Sequence, residues 1–188
     1  MQPYAAPYAA PAFGAPQPQM PAPISIRRMD ATEVYPNLWQ GGLHEFAGWS
    51  ASPHSVRPTL VAFSDLDRAV VLAPDVGVLI VSPPAKVLPL DDSGDVQRDM
   101  AHLAEASAAA DRVAAHLAAG RRVGVFCRAG RNRSGLVAAL AIRRLTGWTG
   151  AQAMQRVKQL RPFALTNEHF ARYLASLPTP QHRAVPAE

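Results

Sequence analysis

Short apolar runs alternate with helix-forming segments along the middle of the chain. Runs of β-branched and apolar residues that are bounded by Pro, Asp or Gly predict β-strands. These runs lie at residues 59–62, 69–72, 77–81, 87–88 and 122–126. The last of them predicts a buried strand, and it ends directly before Cys127.

Apolar residues then recur at helical spacing in several longer segments. One helix is predicted over residues 96–119, with Asp95 as its N-cap and Gly120 after its last turn. Three further helices are predicted: from the segment after Cys127 to residue 145, over residues 149–160, and over residues 167–177. Strands that alternate with helices, with the helices concentrated towards the end, predict a single α/β domain with a central sheet flanked by helices.

Cys127 is the only cysteine of the chain, and the segment that it opens reads Cys-Arg-Ala-Gly-Arg-Asn-Arg-Ser-Gly. A predicted strand precedes it and a predicted helix follows, so the thiol lies on a loop that closes into a helix N-terminus. Backbone N–H groups and the helix dipole at such a loop favour an anion, and the same field favours a thiolate. Arg133, which is separated from the cysteine by five residues, can bind two phosphate oxygens with its planar guanidinium group. The pattern therefore indicates chemistry on a phosphate.

This segment resembles the signature loop of the cysteine-dependent protein tyrosine phosphatases, and more closely that of their dual-specificity branch. Residues 33–42 are similar to the opening hairpin of that family, residues 88–93 to the segment that carries its general acid, and residues 161–170 to its C-terminal Arg-Pro…Asn…Phe stretch. The resemblance covers roughly residues 33–177, with a poor match at residues 44–75. It implies a mixed central sheet of about five strands in a phosphatase-like domain.

The resemblance also implies roles for the loop. Cys127 would be the nucleophile and would form a cysteinyl-phosphate, while Arg133 would hold the transferring phosphoryl group. Backbone amides of the intervening residues would meet the phosphoryl oxygens. These substrate-binding residues are Arg128, Ala129, Gly130, Arg131 and Asn132.

Two further catalytic roles follow from the same comparison. Asp92 corresponds to the general acid, which protonates the leaving oxygen and then activates water; Asp91 and Asp95 are the alternatives. Ser134 would hydrogen-bond the sulfur and help it to leave, and its alternative role is that of a helix-capping serine. One position departs from the family, since Phe126 stands directly before the cysteine where the family normally has His. Thiolate stability would then depend on the loop amides, the helix end and nearby guanidinium groups.

The expected function is a phosphatase for phosphotyrosine, phosphoserine or phosphothreonine in proteins. Arg128 and Arg131 resemble the cations in the loop of phosphoinositide phosphatases, and Asn132-Arg133 with Gly135 resembles the loop of RNA 5′-triphosphatases, so both are alternatives. A phosphate-binding module without turnover is another. A rhodanese-like sulfurtransferase shares Cys-Arg-x-Gly, but its basic residue usually follows after four residues, where this chain has Asn132.

Charge along the chain is asymmetric. The net charge is +5, yet ten Arg or Lys residues and no acidic residue lie between residues 121 and 161. This distribution favours an anionic substrate, here a phosphorylated protein or another phosphate compound. The six histidines lack metal-ligand spacing, so no metal and no cofactor are expected.

Both ends of the chain differ in composition from the middle. Residues 1–26 are rich in Pro and Ala and carry no charge before Arg27, so a disordered tail is expected there. The phosphatase-like domain is expected over residues 27–178, followed by a flexible tail at residues 179–188. A single cysteine, no signal-peptide pattern and no apolar run near the roughly 20 residues that span a bilayer favour a cytoplasmic protein.

Overall fold

The computed structural model describes residues 22–44, 59–72 and 78–180. Its strands are β1 (Ala31–Tyr35), β2 (Leu38–Gly42), β3 (Thr59–Ala62), β4 (Arg68–Val71), β5 (Val78–Ser82), β6 (Ala85–Val87) and β7 (Val123–Cys127). A five-stranded sheet has the order β1-β2-β7-β4-β6, in which β1 and β2 are antiparallel and the other neighbours are parallel. Strands β3 and β5 form a separate parallel pair. The predicted α/β fold with a mixed five-stranded sheet is confirmed.

Five α-helices accompany the sheet among the described residues: α1 (Val96–Ala101), α2 (Leu103–Ala118), α3 (Arg133–Thr146), α4 (Gly150–Leu160) and α5 (Glu168–Ser176). Helix α3 is the central one, because it contacts β2 and β7 as well as α2, α4 and α5. Residues 134–142 of this helix are all buried, which is typical of a helix with neighbours on every side. Helix α3 ends at Gly147, whose left-handed conformation (φ 72°) lets its N–H donate to the Arg143 carbonyl. Within the described residues, no helix combines the length and apolarity needed to cross a membrane.

The predicted helix over residues 96–119 is wrong in one respect, since the structure divides it at His102 into α1 and α2. The two parts have different partners. Helix α1 contacts α5, whereas α2 packs along α3. In α1, the buried Asp99 binds the backbone of Ser93 and the side chain of Asn167. These tertiary contacts outweigh the continuous helical pattern of the sequence.

Smaller differences concern the strand ends. The strand predicted at residues 87–88 is instead β6 at Ala85–Val87, and the one predicted at residues 69–72 is β4 at Arg68–Val71. The strand predicted at residues 122–126 is β7 at Val123–Cys127, so it includes the cysteine. Residue 77, predicted as the start of a strand, lies outside the described residues. The expected hairpin at residues 33–42 is present as β1 and β2.

The expected tail at residues 1–26 extends too far into the chain. Ile24 pairs with Phe63, and Ser25 Oγ donates to Asp65 at 2.7 Å. Ile26 is buried in the core. The folded part therefore begins before residue 26, while residues 1–21 lie outside the described residues. Most of the expected C-terminal tail, residues 181–188, also lies outside them.

Candidate active site

Cys127 is the last residue of β7, which is paired in parallel with β2 on one side and β4 on the other. Its side chain is only 2% exposed. The preceding residue, Phe126, is fully buried and stacks on Phe63 with 5.3 Å between the ring centroids. An apolar core contact thus occupies the position where the family normally has a histidine, and no hydrogen bond to the loop comes from this side chain.

The loop after Cys127, residues 128–132, is held by its carbonyl groups. Leu43 N donates to the carbonyls of Cys127 (3.0 Å) and Arg128 (3.1 Å), and Leu165 N donates to that of Arg131 (3.3 Å). Gln40 Nε2 donates to the carbonyl of Gly130 at 2.8 Å. Strand β2, the residue that follows it and the segment before α5 therefore bind the outside of the loop.

Four amide N–H groups of the loop differ from these carbonyls in their hydrogen bonding. Those of Ala129, Gly130, Arg131 and Asn132 donate to no other residue in the described part of the chain. Because a trans peptide unit directs its C=O and its N–H to opposite sides, carbonyls that bind outwards turn the following amides inwards. Successive amides on a concave surface at a helix N-terminus form an anion site.

Close backbone packing makes this loop possible. Gly130 adopts φ 61°, a conformation that favours glycine, and a Cβ at this position would collide with the backbone of Gly41 and Gly42. A Cβ on Gly42 would in turn lie 3.0 Å from the carbonyl carbon of Ala129. The loop thus lies directly on the last two residues of β2, and the Gly41-Gly42 pair is the sequence signal of that contact.

Ser134 lies in the first turn of α3 and is completely buried. Its Oγ is 3.2 Å from Cys127 Sγ and accepts a hydrogen bond from Gln40 Nε2 at 3.1 Å. The residue at the N-cap of α3 is Asn132, whose side chain makes no capping bond. Ser134 Oγ therefore lies within hydrogen-bond distance of the sulfur, and its role in releasing the sulfur stays a prediction.

Arg133 is the first residue of α3 and its side chain is half-buried. Its Nη1 donates to the carbonyl of Leu90, at 3.1 Å, in the segment that carries the candidate acid. The guanidinium group therefore connects the helix N-terminus to the acid segment and can approach a phosphate between them.

The three candidate acids have different surroundings. Asp91 forms an exposed ion pair with Arg98 at 3.4 Å, and Asp95 caps α1 by accepting from Arg98 N at 3.0 Å. Asp92 faces the loop instead, because its Oδ1 accepts from Asn132 Nδ2 at 3.2 Å and from Asn167 Nδ2 at 2.9 Å. Among the three, Asp92 is the one that contacts the loop of residues 128–132, through Asn132.

Asn167 connects this acid segment to the two neighbouring helices. Its Nδ2 donates to Asp92 and to Asp99 Oδ2 (2.8 Å), while its Oδ1 caps α5. Burial by itself would raise the pKa of Asp99, but hydrogen bonds from Asn167, Ser93 and Gly94 together hold that pKa below its usual value of 3.8. An ionised, buried carboxylate thus fixes the segment that carries Asp92.

Two hollows flank the loop. One, of about 450 Å³, is lined by His44, Ala129, Arg131 and Phe163, among others, and Phe163 is 73% exposed. The other, of about 410 Å³, lies on the side of Asp92 and Asn167. The surface beside the loop is therefore concave on both sides.

Several cations of the basic segment have structural partners. Arg122 pairs with Asp67, Arg144 with Asp111 and Arg161 with Asp30, while Arg143 donates to the carbonyl of Pro178. Arg128 and Arg131 are exposed on the loop itself. Part of the positive charge of this segment is therefore used in contacts that support the fold.

Three residues of this site, Gln40, Asp99 and Asn167, were not among the site residues predicted from the sequence. Asn167 was noted only as part of the C-terminal stretch that resembles the family. Gln40 stands in a strand whose other inward positions are apolar or glycine, and that contrast is a signal. Asp99 gives no such signal, because it follows Asp95 by four residues and looks like one more polar residue of an amphipathic helix.

No protein-family model and no curated protein sequence matches the chain. Solved structures do match. Human DUSP28 is 26% identical, with a TM-score of 0.54 over 82% of this chain and 94% of that chain. DUSP15 is 16% identical, with a TM-score of 0.57 over 77% and 85%. The human tyrosine phosphatase-like serine/threonine/tyrosine-interacting protein is 18% identical, with a TM-score of 0.56 over 78% and 94%. The chain therefore has the dual-specificity-phosphatase-like fold of the cysteine-dependent protein tyrosine phosphatase superfamily.

Proposed function

We propose that this protein hydrolyses phosphate monoesters on proteins through a cysteinyl-phosphate intermediate. The observation that carries the proposal is the loop of residues 128–132, whose carbonyls bind outwards and whose amides at residues 129–132 donate to no other described residue, next to the sulfur of Cys127. That arrangement suits a phosphoryl group, whose equatorial oxygens carry the charge in the transition state.

In the first step, the thiolate of Cys127 attacks phosphorus and the bond from phosphorus to the leaving oxygen breaks. Asp92 gives its proton to that oxygen, so that the product leaves as a neutral alcohol or phenol. Arg133 binds two phosphoryl oxygens, and its contact with the Leu90 carbonyl keeps it next to the acid segment.

In the second step, water attacks phosphorus and Asp92 accepts a proton from it. The sulfur–phosphorus bond breaks, inorganic phosphate forms and Cys127 returns to the thiolate. Ser134 Oγ, at 3.2 Å from the sulfur, donates a hydrogen bond to the negative charge that develops there. Each residue is thus used in a role for which its contacts suit it.

The surroundings of the loop support phosphorylated proteins as the substrate class. A phosphorylated side chain fits a site with hollows on both sides, and Phe163 offers an exposed apolar wall beside the loop. Phosphoinositides and RNA 5′ ends are the alternatives, since Arg128 and Arg131 offer cations to a more highly charged substrate.

A phosphate-binding module without turnover is the second candidate, and Phe126 is the observation in its favour. The hydrophobic side chain in the position of the family's histidine removes one hydrogen-bond donor near the loop. One matched structure bears the name of a tyrosine phosphatase-like interacting protein, so the fold also occurs in a protein named for interaction.

A panel assay separates these functions. The substrates are p-nitrophenyl phosphate, phosphotyrosine and phosphothreonine peptides, a phosphoinositide and a 5′-triphosphate RNA, tested between roughly pH 5.5 and 7.5. We expect phosphate release that is strongest from the phosphopeptides and absent in Cys127→Ser. Faster release from the lipid or the RNA would shift the substrate class. No release from any of them, with phosphate still bound, would favour the binding module.

The general acid is tested separately with Asp92→Asn. Turnover of a substrate with a poor leaving group should fall by roughly 10²–10⁴-fold, because the leaving oxygen then departs without a proton. Asp91→Asn and Asp95→Asn are the matched controls and should leave turnover nearly unchanged. Unaltered turnover in Asp92→Asn would remove this residue from the mechanism.

A further inference from the structure

Gln40 is a buried polar side chain in the middle of the sheet. It lies in β2, whose backbone is paired with β1 on one side and β7 on the other, opposite Thr32 and Val125. The residue is 0% exposed. A glutamine with no access to water needs protein partners to offset its lost hydration.

Those partners all belong to the phosphate loop and the start of α3. Gln40 Nε2 donates to the carbonyl of Gly130 at 2.8 Å, to Ser134 Oγ at 3.1 Å and, at 3.4 Å, to the carbonyl of Arg131. Two of the three partners are carbonyls, so the amide nitrogen and not the amide oxygen must face them. The orientation of this carboxamide is therefore fixed by its surroundings.

The oxygen of the carboxamide, unlike its nitrogen, makes no such hydrogen bonds within the described residues. Gln40 Oε1 is buried and has no hydrogen-bond partner within the described parts of the chain. Leaving a buried acceptor unpaired destabilises a fold, and an apolar side chain at this position would avoid that cost. A residue that keeps an unfavourable acceptor in the core is expected to contribute through its donor.

The donor acts on the loop through peptide geometry. The carbonyls of Gly130 and Arg131 are directed towards Gln40, so the N–H groups of Arg131 and Asn132 are directed away from it. These are two of the four amides that donate to no other described residue. Gln40 thereby helps to fix the direction of two of the four loop amides, and it shares the carbonyl of Arg131 with Leu165 N.

The same nitrogen also acts on the sulfur, through Ser134. Because Ser134 Oγ accepts a hydrogen bond from Gln40, one of its lone pairs is occupied and its own proton stays available for Cys127 Sγ at 3.2 Å. A thiolate can only accept, so this direction of donation is the one that stabilises it.

We propose that Gln40 is a positioning residue of the phosphate loop, whose one side-chain nitrogen orients the amides of Arg131 and Asn132 towards a bound oxyanion and the hydroxyl of Ser134 towards Cys127. This inference deepens the proposed function and rests on it for its meaning in turnover. The arrangement itself is testable without any turnover.

The first test replaces the donor and keeps the shape. Gln40→Met is close to isosteric and lacks the nitrogen, and Gln40→Glu replaces the donor by a second acceptor that faces carbonyl oxygens. The exposed Gln155→Met is the matched control. Each protein is checked for folding by circular dichroism and thermal melting before two readouts are taken: vanadate binding by calorimetry, and the rate of Cys127 alkylation by iodoacetamide against pH.

We expect Gln40→Met to bind vanadate roughly ten- to a hundredfold more weakly and to be alkylated roughly tenfold more slowly near about pH 6, with a larger loss in Gln40→Glu. Gln155→Met should match the wild type in both. A folded Gln40→Met that also matches the wild type in both readouts would overturn the inference.

A double mutant separates the two routes. In a Ser134→Ala background, Gln40→Met should slow alkylation much less than in the wild type, because one route to the sulfur is already lost. Its effect on vanadate affinity should persist, since that effect acts through the loop amides. Full additivity of the alkylation effects would exclude the route through Ser134.

The wild type provides a measurement that needs no variant to fold. The side-chain amide protons of Gln40, assigned by NMR, should exchange slowly with water and change their chemical shifts when vanadate binds. Rapid exchange would contradict the proposed contacts. If these readouts behave as expected while no substrate in the panel is hydrolysed, the positioning role stands and the proposed phosphatase activity fails.

Discussion

Replacing Asp99 by Asn tests whether the acid segment is held by a buried charge. Asp99 is 1% exposed and accepts four hydrogen bonds. Its Oδ1 accepts from Ser93 N (2.7 Å) and Ser93 Oγ (3.1 Å). Its Oδ2 accepts from Gly94 N (3.1 Å) and Asn167 Nδ2 (2.8 Å). Residues 93 and 94 directly follow Asp92, so these bonds fix the candidate acid from one side.

The magnitude follows from counting the bonds that asparagine can keep. An amide oxygen in place of Oδ1 can still accept from Ser93, whereas an NH₂ group in place of Oδ2 would face the N–H groups of Gly94 and Asn167. Hydrogen bonds to a charged group contribute about 1.5–3 kcal/mol each, and part of the loss is recovered by local rearrangement. We therefore expect Asp99→Asn to lower the free energy of unfolding by about 2–4 kcal/mol, a large share of the 5–15 kcal/mol that is usual for a domain.

Urea unfolding at neutral pH measures this change directly. Asp91→Asn is the control, because it removes a carboxylate from the same segment whose partner Arg98 is mostly exposed, and such a pair contributes at most about 1 kcal/mol. A free energy of unfolding for Asp99→Asn within about 0.5 kcal/mol of the wild-type value would show that the buried charge does not hold this segment.

The pH dependence supplies a second condition. Although burial raises the pKa of Asp99, hydrogen bonds from Asn167, Ser93 and Gly94 lower it below the usual 3.8. A depressed carboxylate pKa stabilises the fold above its unfolded value, and this stabilisation is lost as pH falls through the folded value. The difference in unfolding free energy between wild type and Asp99→Asn should therefore shrink as pH falls from about 5 to about 2. A difference that stays constant over this range would contradict the account.

Three further predictions concern the loop and its supports. Gly130→Ala should lower the free energy of unfolding by about 3 kcal/mol or more in urea titrations, since its Cβ meets the backbone of β2. Gly120→Ala, at φ 72° with open space around it, should lower the same free energy by only about 1–2 kcal/mol. Equal losses of stability in the two variants would argue against the close contact. Arg133→Lys should reduce kcat roughly 10²–10³-fold in steady-state assays, because one ammonium group cannot bind two phosphoryl oxygens in a fixed plane. A wild-type kcat in this variant would contradict the proposed binding of the phosphoryl group by Arg133. Asn167→Ala should reduce turnover of phenyl phosphate more than that of p-nitrophenyl phosphate, since Asp92 loses one of its two partners; an equal reduction for both would show that Asn167 does not act through the acid.

Local signals predicted most of the fold and the loop. The apolar run before Cys127 and the pattern after it predicted β7 and α3, and both the strand end and the helix start depend on residues that are adjacent in sequence. The break at His102 could not be predicted in the same way. Helix α1, before the break, contacts α5 and carries Asp99, which binds Asn167 far along the chain, and helical periodicity does not report such contacts.

The resemblance favoured Asp92 among the three candidate acids, but the sequence left Asp91 and Asp95 open because it does not report the partners of each carboxylate. Asp91, Asp92 and Asp95 lie within five consecutive positions and have the same side chain. They differ in their partners: Arg98 in the neighbouring helix for two of them, Asn132 and Asn167 for Asp92. Only the tertiary structure assigns those partners.

Burial nevertheless locates the site without reference to any motif. Within the described residues, the buried polar side chains are Gln40, Asp99, Ser134 and Asn167. Burying a polar group is costly unless its hydrogen bonds are made inside the protein, so a core without special requirements would exclude all four. Instead, Gln40 and Ser134 contact the loop and its sulfur, while Asp99 and Asn167 hold the acid segment. Among the described residues, the buried polar side chains thus all support two segments, the loop after Cys127 and the segment that carries Asp92, and these two segments meet where Asn132 donates to Asp92.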